Sequence, residues 1–161
     1  FDLFGENNNT GETYFRQSVW GWRPIWKFVT DFCDDILDAD QLKRGNYNDF
    51  VKIDGARSIQ LATRIQSLID DGTVKEIVDV YEKNRLKEGY AETILMKALD
   101  DWTKEQGASC GNDLSPEDHE IWECMYHKIK YNSASSYPMD VDYIQEFADF
   151  CKESDKGFKI G

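Results

Sequence analysis

Tyr14-Phe15-Arg16-Gln17-Ser18-Val19-Trp20-Gly21-Trp22-Arg23-Pro24-Ile25-Trp26-Lys27-Phe28-Val29 holds three of the chain's five tryptophans. An enclosed indole buries about 150–250 Å², so Trp20, Trp22 and Trp26 are expected to anchor a core on which later helices pack. Pro24 lacks an N–H and has a fixed φ, which suits the first turn of a helix. The spacing predicts a helix over 24–37, with Ile25, Phe28, Val29, Phe32, Ile36 and Leu37 on one broad face. Trp22 and Arg23 then lead into it. Arg23 keeps its charge. Among so many rings it is expected to stack on one or to pair with a carboxylate. The same stretch admits a second reading, as a docking patch, because Trp and Arg are residue types that dominate binding hot spots. Trp20, Trp22, Arg23 and Trp26 are therefore also the candidate binding residues.

Upstream, residues 1–13 are polar and Asn/Gly-rich after Phe1 to Phe4, and read as a flexible arm whose apolar tip docks on the body. Downstream, Asp38 is placed to cap a short helix over 39–44 that Gly45 ends. Asn46-Tyr47-Asn48-Asp49 reads as a turn. Phe50-Val51-Lys52-Ile53 alternates as a strand does, and Phe158-Lys159-Ile160 has the same character. The two are expected to pair as a short two-stranded β ribbon (50–53 with 158–160). Asp54 caps a helix over 55–71, with Leu61, Ala62, Ile65, Leu68 and Ile69 inward. Gly72 and Gly89 are expected to separate a helix over 74–88 (Val74, Ile77, Val78, Tyr81 inward) from another over 90–106 (Ile94, Leu95, Ala98, Leu99, Trp102 inward). Ser115-Pro116-Glu117-Asp118 is a strong helix start. That helix runs to about 130, with Ile121, Trp122, Met125, Tyr126 and Ile129 inward. Asp140 caps a last helix over 141–153, where Val141, Ile144, Phe147, Ala148 and Cys151 form the stripe. The fold class expected is mainly α: one domain over 1–161, an irregular bundle of about six helices with mobile loops at 107–114 and 132–138.

A share of 40% hydrophobic and 14% aromatic residues is enough for a core and argues against disorder. The net charge of −12 disfavours nucleic-acid phosphates and anionic membranes. It permits a protein partner with a basic surface. No apolar run is long enough for a membrane span, and the first residues show no signal-peptide pattern. A cytoplasmic protein is expected, with Cys33 and Cys151 as buried free thiols and no disulfides among the four cysteines. Asn8-Asn9-Thr10 matches a glycosylation sequon, which carries weight only in a secreted chain.

The segments YFR-x3-W-x-WRP-x-W, from Tyr14 to Trp26, and Tyr137-Pro138…Glu146-Phe147-Ala148-Asp149-Phe150-Cys151…Gly157-Phe158-Lys159-Ile160 resemble small uncharacterised proteins of tailed phages and prophages. The resemblance covers the first third of the chain and its end from Tyr137. It implies a phage or prophage context and brings no activity. Members of that family carry paired cysteines in mid-chain, as in a small zinc site. This chain has no CxxC.

The one metal-like grouping is Cys110, His119, Cys124 and His127. Cys124 and His127 share a helix face three apart, His119 is turned away, and Cys110 lies on a loop, so no metal and no cofactor are expected. The doublets Asp34-Asp35, Asp70-Asp71 and Asp100-Asp101 point about 100° apart on a helix and read as solvated faces. No nucleophile, phosphate-loop or dinucleotide motif is present, so no catalytic residue is assigned. The expected function is a non-enzymatic interaction protein that binds a protein partner through an acidic or aromatic surface. The alternative is a small-molecule-binding or enzymatic helical domain with a pocket near the aromatic segment.

Overall fold

The computed structural model describes residues 1–9, 11–47, 49–132 and 137–161. Among the described residues, four strands, β1 (Asp2–Glu6), β2 (Glu12–Arg16), β3 (Val51–Asp54) and β4 (Gly157–Ile160), are joined by six helices. These are α1 (Val19–Phe32), α2 (Ala39–Arg44), α3 (Gly55–Asp70), α4 (Thr73–Glu105), α5 (Pro116–Asn132) and α6 (Val141–Glu153). The chain is mainly helical, as expected. The ribbon is larger than expected: it is half of an antiparallel sheet in the order β2-β1-β4-β3.

Where an arm is expected over 1–13, the described residues include strand. They supply β1 and part of β2, a hairpin with Leu3 opposite Phe15 and Gly5 opposite Thr13. β1 also pairs with β4 at the far end of the chain, Leu3 opposite Ile160. Alternation sorts the faces. Leu3, Phe15, Val51, Ile53, Phe158 and Ile160 are buried beneath α3 and α6, while Phe4, Tyr14, Lys52 and Lys159 face outward. β3 begins one residue later than expected and pairs antiparallel with β4, Val51 opposite Ile160 and Ile53 opposite Phe158. Phe50 stays outside the ladder, exposed and at φ 45°. Gly157 is required where it stands: its φ is 105°, and a Cβ would lie 2.4 Å from the Ile53 carbonyl oxygen.

The first helix begins five residues earlier than Pro24 suggests and ends at Phe32, not 37. Ser18 caps it, its Oγ accepting the Gly21 N–H at 3.3 Å. Pro24 lies one turn inside, where it has no N–H to give the Trp20 carbonyl. α2 matches expectation, with a full capping box between Asp38 and Gln41. α3 and α6 also form as expected, with Leu61, Ala62, Ile65, Ile144, Phe147, Ala148 and Cys151 buried. Gly89 does not end a helix. It lies inside α4, which is continuous over 33 residues.

Contacts gather the chain into two compact units. Unit 1 is Phe1–Tyr81 with Tyr137–Gly161, and unit 2 is Glu82–Ser136. Unit 1 holds the sheet, α1, α2, α3, α6 and the start of α4, whose Val74 and Val78 are buried as expected. Unit 2 holds the rest of α4, a 3-10 turn at Gly111–Asp113 within the expected loop 107–114, and α5. Here the inward stripes are only partly covered: Leu99 is buried and Trp102, Trp122, Tyr126 and Ile129 are half-buried, but Ile94, Leu95, Ala98, Ile121 and Met125 are exposed. The expected loop 132–138 falls largely outside the described residues, as do Thr10 of the sequon and Asn48 of the turn. Among the described residues no helix is long and apolar enough to cross a membrane.

Candidate functional site

α1 sorts its three tryptophans onto different surfaces. Trp22 and Trp26, four apart and so on one face, are fully enclosed and stack at 5.3 Å. Phe1 stacks on Trp22 at 5.4 Å, and Phe147 meets it edge-on at 5.5 Å. Burying an indole N–H without a partner is costly. Here Trp22 Nε1 donates to the Gly45 carbonyl at 2.8 Å and Trp26 Nε1 to the Leu42 carbonyl at 2.9 Å. Both acceptors lie at the C-terminal end of α2, where helix carbonyls lack intrahelical donors. Two of the four candidate binding residues are therefore core and cap α2.

Trp20 and Arg23, three apart on α1, lie on the outside. Trp20 is 57% exposed. Its ring meets Tyr137 edge-on at 4.4 Å, and the Arg23 guanidinium lies 5.8 Å from the Tyr137 ring centroid. Tyr81 Oη donates to the Tyr137 carbonyl at 3.0 Å, fixing that residue's backbone. Arg23 thus stacks on a ring, and among the described residues it makes no ion pair. Tyr137 was not among the candidate binding residues. An aromatic directly before Pro138, after a Ser-rich run, was the available signal.

The four metal-like residues stay apart in function. Cys110 and Cys124 are exposed free thiols. His119 Nδ1 is bonded to the Gly111 carbonyl at 2.9 Å and its ring stacks on Trp122, while His127 lies 3.9 Å from Glu123. Among the described residues no three His, Cys, Asp or Glu side chains gather as for a metal ion. Cys33 and Cys151 are buried free thiols. Burial pushes the Cys33 thiol up to about 12 and the Cys151 thiol well above the ordinary range. Both are protonated at neutral pH and poor nucleophiles.

The acidic doublets engage local partners. Asp35 takes two hydrogen bonds from Arg64, at 2.9 and 3.1 Å, which hold its carboxyl below the usual range. Asp100 and Asp101 pair with Lys104 and Lys97 one turn away. Asp71 accepts the Thr73 N–H at 2.9 Å. Two hollows of unit 1, one beside Ile59, Gln66 and Ala148 and one beside Asn7, Tyr14 and Asp155, are not lined by Trp20, Trp22, Arg23 or Trp26. No family model matches the chain, and neither the curated proteins nor the solved structures contain a significant match to it.

Proposed function

We propose that the protein is a non-enzymatic, cytoplasmic interaction protein of phage or prophage origin that binds a protein partner through Trp20, Arg23 and Tyr137. One observation carries this reading: Trp20 is left 57% exposed on a helix whose Trp22 and Trp26 are wholly buried. A ring held edge-on against Tyr137 loses little freedom on binding, and Trp, Tyr and Arg are the residues enriched at hot spots. The surplus of acids, 31 against 19 Lys and Arg, favours a partner whose rim is basic.

The test separates binding from folding. A partner captured on the wild type is titrated calorimetrically against wild type, Trp20→Ala and Arg23→Ala. Trp20→Ala is expected to weaken binding by about 2 kcal/mol or more, the size of a hot spot. Its melting temperature should stay within a degree or two of wild type. Equal affinity for wild type and Trp20→Ala would remove the patch from the interface.

A further inference from the structure

Buried apolar surface is divided unevenly between the two units. The contiguous core takes no member from 82–136. Among the described residues of unit 2, the buried apolar side chains are Leu99 and Ala108. A unit this small usually needs a disulfide, a metal or association to complete its burial. Its two cysteines are free thiols, and no metal-ligating trio gathers among the described residues.

α5 returns alongside the second half of α4, where Lys130 bonds Glu92. Between them runs a groove of about 600 Å³ whose apolar lining includes Leu95, Ala98, Leu99, Trp102, Met125 and Ile129. Leu95 is 51% and Met125 46% exposed. The two walls carry opposite charge. Glu88 stands on α4 and Lys128 on α5, while Glu92, also on α4, is already paired with Lys130. Glu88 and Lys128 make no ion pair among the described residues.

We propose that the occupant of this groove is the same groove of a second copy of the chain. A two-fold axis running along the helices sets α4 of one copy antiparallel on α5 of the other. The four helices then close as an antiparallel bundle over Leu95, Trp102, Met125 and Ile129. The same rotation carries Lys128 of each copy to the acidic wall of its mate, so the walls complement each other twice. An acidic partner would meet Glu88, and a basic one would meet Lys128. A second copy offers both signs in the required order. This surface belongs to unit 2 and is independent of the Trp20 patch.

Sedimentation equilibrium of the full chain tests the proposal. The wild type is expected to be a dimer. Leu95→Glu, which sets a carboxylate in the apolar floor, is expected to be a monomer with unchanged helix content. Lys128→Glu is expected to weaken the dimer by about tenfold or more, each rim then being uniformly acidic. Mixing Lys128→Glu with the Glu88→Lys chain should restore a dimer of one chain of each kind, because the two rims are again opposite in sign. Three results would each overturn the proposal: a wild-type monomer at every accessible concentration, a dimer indifferent to Leu95→Glu, or charge-swapped chains that fail to combine.

Discussion

α5 and α6 start alike and end differently. Each is opened by a polar cap, Ser115 Oγ accepting the Asp118 N–H at 3.2 Å and Asp140 accepting the Asp142 N–H at 2.9 Å. Each has acids in its first turn and an apolar stripe. α6 buries Ile144, Phe147, Ala148, Phe150 and Cys151, whereas α5 leaves Ile121 and Met125 each 46% exposed. The difference lies in what stands opposite. α6 packs on α3, on α1 and on β1 and β2, so its stripe is covered from several sides. α5 packs on the 3-10 turn at Gly111–Asp113 and lines a groove with α4, and its Ile121 and Met125 stay open. An amphipathic stripe specifies which face of a helix turns inward. Whether anything covers that face is decided by topology.

The strongest test of this contrast truncates one side chain in each unit. Trp26→Ala removes an enclosed ring, its stack on Trp22 and the donor to Leu42. It should cost about 3–5 kcal/mol, most of the margin of an ordinary domain. Met125→Ala, in the open groove, should cost the monomer only about 1 kcal/mol, because half of its surface is already in water. Denaturant unfolding of both variants below the association range gives the two values. Equal costs would break the contrast.

Gly45→Ala probes the same packing more gently. The backbone there is helical, with φ −62°, so alanine adds no strain of its own. Its Cβ, however, would lie 2.0 Å from Trp26 Cζ2. Overpacking at such a site costs about 1–3 kcal/mol. An unfolding midpoint equal to wild type would show that α2 moves freely against α1.

What the sequence made legible follows the range of the interactions. α2, α3 and α6 could be placed because Asp38, Asp54 and Asp140 cap them locally and the apolar period runs uninterrupted behind each cap. The β3–β4 pairing was suggested by two short alternating runs at opposite ends of the chain. The β1–β2 hairpin was hidden because Asn7, Asn8, Asn9 and Gly11 dilute it. Its stability also comes from β4, more than a hundred and fifty residues away in the pairing of Leu3 with Ile160. Pro24 misplaced the start of α1, since a proline one turn inside a helix is tolerated where Ser18 already caps it and tertiary packing holds the rest. At the candidate site, aromatic composition singled out the stretch that became α1. It could not tell Trp20 from Trp22 and Trp26, because that distinction depends on where α2 and Tyr137 come to lie.

Gly89 offers a smaller effect of opposite sign. It sits in the exposed interior of α4, and a Cβ there would meet nothing within 4 Å. Replacing a helix-interior glycine by alanine favours the helix by about 1 kcal/mol. Gly89→Ala should therefore stabilise the protein and slow amide exchange in the turns around 85–93. Destabilisation would show that the continuous helix needs a flexible point at this residue.

The smallest expected effect concerns acid. Hydrogen bonds from Arg64 hold Asp35 below the usual carboxylate range, and those from Lys97 do the same for Asp101. A carboxyl depressed in the folded state adds stability that is present above its unfolded pKa. That stability is lost as pH falls through the folded value. Asp35 and Arg64 join the turn after α1 to α3, so unfolding separates them. Asp101 and Lys97 are one turn apart on α4, where the pair survives in any residual helix. Both pairs are solvent-exposed, so both effects are small. Asp35→Asn should therefore lower stability at neutral pH, and the gap to wild type should close as pH falls through the folded pKa of Asp35. Asp101→Asn should show a narrower gap with the same sign. Denaturant midpoints of the three proteins across an acid titration measure this directly. A gap for Asp35→Asn that persists unchanged at the acid end would show that the asparagine acts through packing, and a wider gap for Asp101→Asn would reverse the order of the two units.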